Sequence, residues 1–180
     1  PNGGPPLTMT LTTAFGCPFE GEFAQVRVAT LCAEAAALGV DEVAIADTIG
    51  AADPWMVRRR VEAVRKVIGD KPLRLHFHDT RNTGLANAYA GVEAGVDILD
   101  ASCGGIGGCP FAPGAAGNVA SEDVVYMLER GGIATGLHLP AIVDAAVTVD
   151  VIDVGGGFPS SYPGMEPPPL ERFFETIHRA

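Results

Sequence analysis

The sequence predicts an α/β protein built on a parallel sheet, and three observations carry that expectation. Short apolar, β-branched runs alternate with longer amphipathic stretches, the order recurs along the chain, and Gly, Pro or Asp marks the junctions. Such alternation means βαβ units, because parallel neighbours need a crossover long enough to hold a helix. An open doubly wound sheet and part of a (β/α)8 barrel both satisfy the pattern. A whole barrel takes about 250 residues and eight strands. With 180 residues and four or five strand-like runs, the chain has room for half of one.

The elements follow in order. "LTMTLTTAF" (7–15) is the first strand, and "EFAQVRVATLCAEAAALG" reads as a helix ending at Gly39. "VDEVAIADT" (40–48) is the second strand. Pro54 opens the next helix, where its fixed φ suits the first turn, and the amphipathic pattern runs to Ile68. "LRLHFHDT" is the third strand and "GLANAYAGVEAG" a helix ending at Gly95. "VDILDASC" is the fourth strand, followed by "SEDVVYMLERGG", a helix with Ser121 as its expected N-cap. "VTVDVIDVGGGF" (147–158) reads as a fifth strand entering a glycine loop.

Composition narrows the function. A formal net charge of −10 argues against nucleic acid or an anionic membrane as partner. No apolar run approaches the ~20 residues of a membrane span. Arg58, Arg59 and Arg60 are expected on a solvated helix face. Cys17, Cys32, Cys103 and Cys109 form no CxxC pair and no trusted zinc spacing. With no secretory leader, they are expected to be reduced thiols in a cytoplasmic protein. The chain opens at Pro1 and is expected to be processed, trimmed or part of something longer.

Candidate chemistry gathers at the carboxyl ends of the strands, where both architectures place function. In a strand, residues i and i+2 face the same way, so His76 and His78 present two imidazoles together. That pair suits a metal, with Asp79 and Thr80 as supporting groups; the alternative is one core and one rim histidine without metal. "CGGIGGCPFAPGAAGN" (103–118) is too glycine-rich for a helix or strand interior. It is either a tight connection or a lid, and its GGIGG misses the G-x-G-x-x-G spacing of a dinucleotide loop. Cys109 sits in that loop beside Pro110, and Asn118 offers an amide oxygen or closes a turn.

In their order, "GCPFEG" (16–21), "ADTIG" (46–50), "HFHDTRNTGLANA" (76–88), "DASCGGIGGCPFAPGAAGN" (100–118) and "ASEDVVYMLERGGIATG" (120–136) resemble one known family. It is the 3-hydroxy-3-methylglutaryl-CoA lyases, metal-dependent enzymes on a TIM barrel, and the likeness is to their carboxyl-terminal part. It covers about Thr10 to Ala145 and implies a half TIM (β/α)8 barrel, corresponding to strands 5–8. It also implies cleavage of 3-hydroxy-3-methylglutaryl-CoA to acetyl-CoA and acetoacetate. Carried over, it makes His76, His78 and Asn118 ligands of a divalent cation, Mg or Mn. Cys109 matches a loop cysteine near proton transfer, with His76 as the other catalytic position, and Asp47 and Glu122 match acidic residues that shape the site. The sequence lacks the Arg-Asp-Gly-x-Gln strand that gives the family a carboxylate ligand and an arginine.

Residues 147–180 resemble something else, the glycine-rich segment of alanine-racemase-like pyridoxal-phosphate decarboxylases. There "GGGF" binds the cofactor phosphate, and Gly155, Gly156 and Gly157 can form such an anion nest. No counterpart of that family's Schiff-base lysine is found; the only lysines are Lys66 and Lys71. Pyridoxal phosphate is therefore not expected, and the tail is expected to be a structural strand. The expected organisation is a lyase-like half-barrel over 1–145 and an added strand, glycine loop and helix over 146–180. The expected partners are an acyl-CoA and either a second copy or a complementing barrel half. The alternative function is a non-catalytic, self-associating half-barrel.

Overall fold

A computed structural model of the chain describes residues 5–108 and 117–147. Within them lie four strands, β1 (Thr8–Leu11), β2 (Glu42–Asp47), β3 (Leu73–Phe77) and β4 (Ile98–Asp100). They are joined by α1 (Gln25–Ala37), α2 (Pro54–Ile68) and α3 (Gly84–Glu93), and followed by α4 (Ser121–Arg130) and α5 (Leu139–Val147). All neighbouring strands pair in parallel, in the order β1-β2-β3-β4. Each unit thus adds to the same side of the sheet. A doubly wound sheet reverses direction at a switch point, whereas a barrel does not, so the chain is a partial (β/α)8 barrel.

The sheet has two unlike faces. Leu73, Leu75 and Phe77 are fully buried together with Val43 and Ile45, beneath Val57, Val61 and Val64 of α2 and Val28 and Cys32 of α1. Each such aliphatic side chain contributes about 1.5–3 kcal/mol by leaving water. The alternate residues face the other way; of these Thr8, Thr10, Glu42, Arg74, His76 and Asp100 remain partly or fully exposed, while the small Ala44 and Ala46 of β2 are buried. That polar face is the inside of the partial barrel.

Local signals set most boundaries. Asp53 caps α2 by accepting from the Met56 N–H (2.9 Å), Pro54 takes the first helical position, and Gly69 stops it. α1 and α3 stop just before Gly39 and Gly95, as expected. Several elements differ from expectation. β1 ends at Leu11 because the chain turns at Thr13, whose N–H donates to Thr48 Oγ1 (2.9 Å) while Ala14 N–H donates to the Ala46 carbonyl (2.9 Å). The N-cap of α4 is Ala120, not Ser121; the Ser121 N–H is taken by the Ser102 carbonyl (2.9 Å) and no side chain caps the helix. The strand expected from Val147 starts on the last residue of α5, and its remainder lies outside the described residues. α5 itself went unforeseen. Ala-rich and opened by Pro140, it is capped by His138 Nδ1, which accepts from Ala141 N–H (3.3 Å).

Arg60 is the clearest correction. Rather than lying on a solvated face, it is only 2% exposed, on the side of α2 that also buries Val57, Val61 and Val64. Its Nη2 donates to the Phe23 carbonyl (2.8 Å) and lies 3.6 Å from Glu22, while its guanidinium sits over the Phe15 ring. The charge is tolerated because it fastens the loop between β1 and α1 onto α2.

Candidate metal centre at the carboxyl ends of the strands

The alternation of β3 places His76 on the inner face, and His78 follows one step past the strand on the same side. Their ring centroids lie 5.3 Å apart, nearly edge to face. His78 is 5% exposed, and its N–H donates to the Asp47 carbonyl at the end of β2 (3.3 Å). His76 is held below its ordinary pKa, first by burial and then by the neighbouring His78, against weaker upward pulls from Asp100 and Asn118. It is therefore the neutral, lone-pair-bearing form that a metal requires.

A later segment brings the third group. Residues 117–119 run antiparallel to the end of β3, with Gly117 accepting from Asp79 N–H (2.9 Å) and Val119 N–H donating to the Phe77 carbonyl (3.0 Å). Asn118 consequently sits directly opposite His78. Its Nδ2 donates to the Ile106 carbonyl (2.9 Å), which fixes the amide; its Oδ1 is buried and has no hydrogen-bond partner. A buried, unpartnered amide oxygen costs free energy unless something else takes it. The glycines of GGIGG permit this arrangement. A Cβ on Gly107 (φ +126°) would lie 2.4 Å from Asn118 Nδ2, and one on Gly105 (φ +64°) would lie 2.8 Å from the Asn118 carbonyl. The described part of that loop is thus a close-packed backbone platform rather than a phosphate cradle.

Two imidazoles and an amide oxygen suit a borderline-to-hard divalent cation. Among the described residues no group of three or more His, Cys, Asp or Glu side chains is arranged to hold a metal. The donor set therefore fits such an ion through three groups and without a carboxylate.

The other expected positions fall in different places. Asp47 is fully buried, but its two oxygens accept from the N–H groups of Ala51 (2.8 Å) and Ala52 (2.9 Å), so it shapes the loop after β2. Burial pushes its pKa up despite those two hydrogen bonds. Glu122 reaches back from α4 to accept from Gly104 N–H (3.0 Å), bracing the turn after β4. Asp79 accepts from Gly84 N–H (2.6 Å) and so supports the start of α3 rather than the histidines. Cys32 is an interior thiol whose pKa burial raises to about 11. Lys66 pairs with Glu62, and Lys71 donates to the Val40 carbonyl (2.7 Å). Cys109 and Gly155, Gly156 and Gly157 lie outside the described residues.

Sequence reading missed a charged row on the inner face. Arg74 Nε and Nη2 donate to Glu42 (2.6 and 3.1 Å), and its Nη1 donates to Asp100 Oδ1 (2.5 Å). Arg74 was within reach, since it stands two residues before His76 in the same strand. Glu42 and Asp100 required the sheet register.

Known proteins share this arrangement over much of the chain. A hydroxymethylglutaryl-CoA lyase of Bacillus subtilis is 42% identical over 140 residues, covering 78% of this chain and 47% of the relative. An (R)-citramalyl-CoA lyase of Chloroflexus aurantiacus is 44% identical over 138 residues, covering 77% of this chain and 44% of that protein. The solved structure of an HMG-CoA lyase from Acinetobacter baumannii, in complex with coenzyme A and 3-methylmalate, superposes with a TM-score of 0.75 at 44% identity. That likeness covers 79% of this chain and 47% of that one. The chain thus spans about half the length of the relatives it matches. Among the described residues no helix is long and apolar enough to cross a membrane. With the family model described as HMGL-like matching residues 7–149, the chain belongs to the HMGL-like family.

Proposed function

We propose that this chain carries the metal-holding side of a carbon–carbon lyase site that cleaves 3-hydroxy-3-methylglutaryl-CoA to acetyl-CoA and acetoacetate. The observation that carries the reading is the buried, unpartnered Oδ1 of Asn118 beside two imidazoles at the carboxyl end of β3. The names of the relatives supply the substrate class.

In this reading His76, His78 and Asn118 hold a divalent cation, Mg or Mn. Such an ion, when bound, supplies Lewis acidity that lowers the pKa of the substrate hydroxyl and offsets developing charge. Cleavage removes the proton of the C3 hydroxyl, breaks the C2–C3 bond and leaves its electron pair on the thioester enolate. His76 is assigned to the movement of that hydroxyl proton, and the Cys109 thiol to the delivery of a proton to C2. The loop around Cys109 keeps water from the enolate until that proton arrives. Asp47 and Glu122 act indirectly, by holding the loops after β2 and β4. The Arg-Asp-Gly-x-Gln motif is not in the sequence. Turnover then requires another segment or chain to supply a carboxylate and an arginine. Residues 1–145 form the lyase-like unit and 146–180 a second segment.

The test is Mn(II) binding. His76→Ala should abolish it while the near-ultraviolet circular dichroism stays that of the parent. Equal affinity in the two proteins would refute the assignment.

A second reading rests on the sheet itself. Among the described residues β1 and β4 are its outer strands, and beside β4 lies a groove lined by Leu99, Val124, Val125, Leu128, Ile133 and Leu137. Exposed edges next to apolar surface favour association, so a non-catalytic self-associating half-barrel is the alternative. It predicts a concentration-dependent dimer that is indifferent to Mn(II).

A further inference from the structure

The charged row on the inner face ends against His76, and we infer that Asp100 is a positioning residue that sets the tautomer of His76. The inference rests on the metal-holding reading above and deepens it. His76 and Asp100 are directly opposed in the β3–β4 register. Asp100 Oδ2 lies 3.9 Å from His76 Nδ1. Its other oxygen, Oδ1, accepts from Arg74 Nη1 (2.5 Å). Arg74 is held on its far side by Glu42, through Nε (2.6 Å) and Nη2 (3.1 Å).

A guanidinium fastened on both sides cannot swing away without breaking two ion pairs, and its fork geometry fixes the plane of each carboxylate it grips. The orientation of Asp100 is therefore set from β2, through β3, before any ligand arrives. Its free oxygen is directed at Nδ1 of the imidazole. At 3.9 Å the contact is longer than a hydrogen bond. A carboxylate there still favours the tautomer with its proton on Nδ1, since that places a positive N–H edge against negative charge. The lone pair is then on Nε2, the ring atom that a ligand would take. Without Asp100 the two neutral tautomers compete, and the one protonated on Nε2 cannot ligate through that atom.

The row also explains why a charged side chain occupies the second position of a strand whose alternate residues are core. Arg74 makes three hydrogen bonds to carboxylates, none to the histidines. It acts on His76 only through Asp100.

The experiment reads the tautomer directly and without metal. The full chain, labelled with 15N-histidine, is examined by long-range 1H–15N correlation at about pH 8, where imidazole is neutral. His76→Gln identifies the His76 signal by its loss. The unaltered protein should show His76 protonated on Nδ1. In Asp100→Asn the proton should move wholly or partly to Nε2, and Mn(II) affinity should fall about 10–100-fold. His76 protonated on Nε2 in the unaltered protein would overturn the inference, and that result does not depend on any variant folding. So would an unchanged tautomer in a folded Asp100→Asn. A protein that shows the Nδ1 tautomer and its loss in Asp100→Asn, yet binds no Mn(II), supports the positioning role and refutes the metal reading. Mn(II) binding with an unmoved tautomer does the reverse.

Discussion

Replacing Asn118 with leucine separates a side chain kept for folding from one kept for a ligand. The two are close in shape, so the change is chiefly one of polarity. Leucine forfeits the hydrogen bond from Nδ2 to the Ile106 carbonyl, worth about 1 kcal/mol net. It also removes the buried Oδ1 that has no partner, and such a group costs about 1–3 kcal/mol. The two effects oppose each other. Asn118→Leu is therefore expected to change the unfolding free energy of the metal-free protein by no more than about 1 kcal/mol, with stabilisation as the favoured sign. An ordinary structural asparagine would instead lose its hydrogen bond and gain nothing. Urea denaturation of both proteins without metal, read by tryptophan fluorescence from Trp55, gives the first number. Titration with Mn(II) gives the second, where the affinity should fall at least tenfold. Destabilisation beyond about 2 kcal/mol would show that Oδ1 is satisfied in the folded protein. Undiminished Mn(II) affinity would remove Asn118 from the ligand set.

Two further predictions follow from charged side chains. The hydrogen bond from Arg74 holds Glu42 below its ordinary pKa of 4.5, against a smaller upward push from burial. A carboxyl group with a depressed folded pKa stabilises the protein above its unfolded value, and that stability is lost as pH falls through the folded one. Glu42→Gln should thus be less stable than the parent at neutral pH and converge with it in acid; parallel stability–pH curves would contradict the pairing. Arg60 has two buried guanidinium nitrogens, Nε and Nη1, without partners. Arg60→Met, which keeps the buried stem and removes them, should alter stability by no more than about 1 kcal/mol, whereas Arg60→Ala should cost about 2–4 kcal/mol in lost packing. Equal losses in urea titrations would mean that the polar contacts, not the stem, carry the stability.

Much of the fold was legible because its signals are local. Pro54, Gly39 and Gly95 act within their own turns, and the apolar spacing of 73–77 states which side of β3 faces the helices. The common direction of His76 and His78 follows from the same period. Ser121 misled because the pairing of Ala120 with Ser102, a tertiary contact, starts the helix one residue earlier, with Ala120 as its N-cap and Ser121 already in its first turn. Arg60 misled for a related reason. Three adjacent arginines look solvated in sequence, but helical geometry turns one of them inward, and the Phe23 carbonyl that receives it belongs to another unit.

By itself the sequence determined the order of the βα units, the parallel sheet and the position of the histidine pair at the end of a strand. These are consequences of backbone periodicity and of φ preferences within a few residues. The family resemblance already named Asn118 beside that pair; the tertiary structure decided how Asn118 reaches it and that Asp100 joins. Asn118 reaches His78 because a segment beyond the glycine turn pairs antiparallel with the end of β3. Asp100 reaches His76 because β4 docks in one particular register, and Arg74 bridges to Glu42 across the neighbouring strand. Register is a property of the whole sheet: a slip of one residue would turn every side chain to the other face, and no local stretch records it.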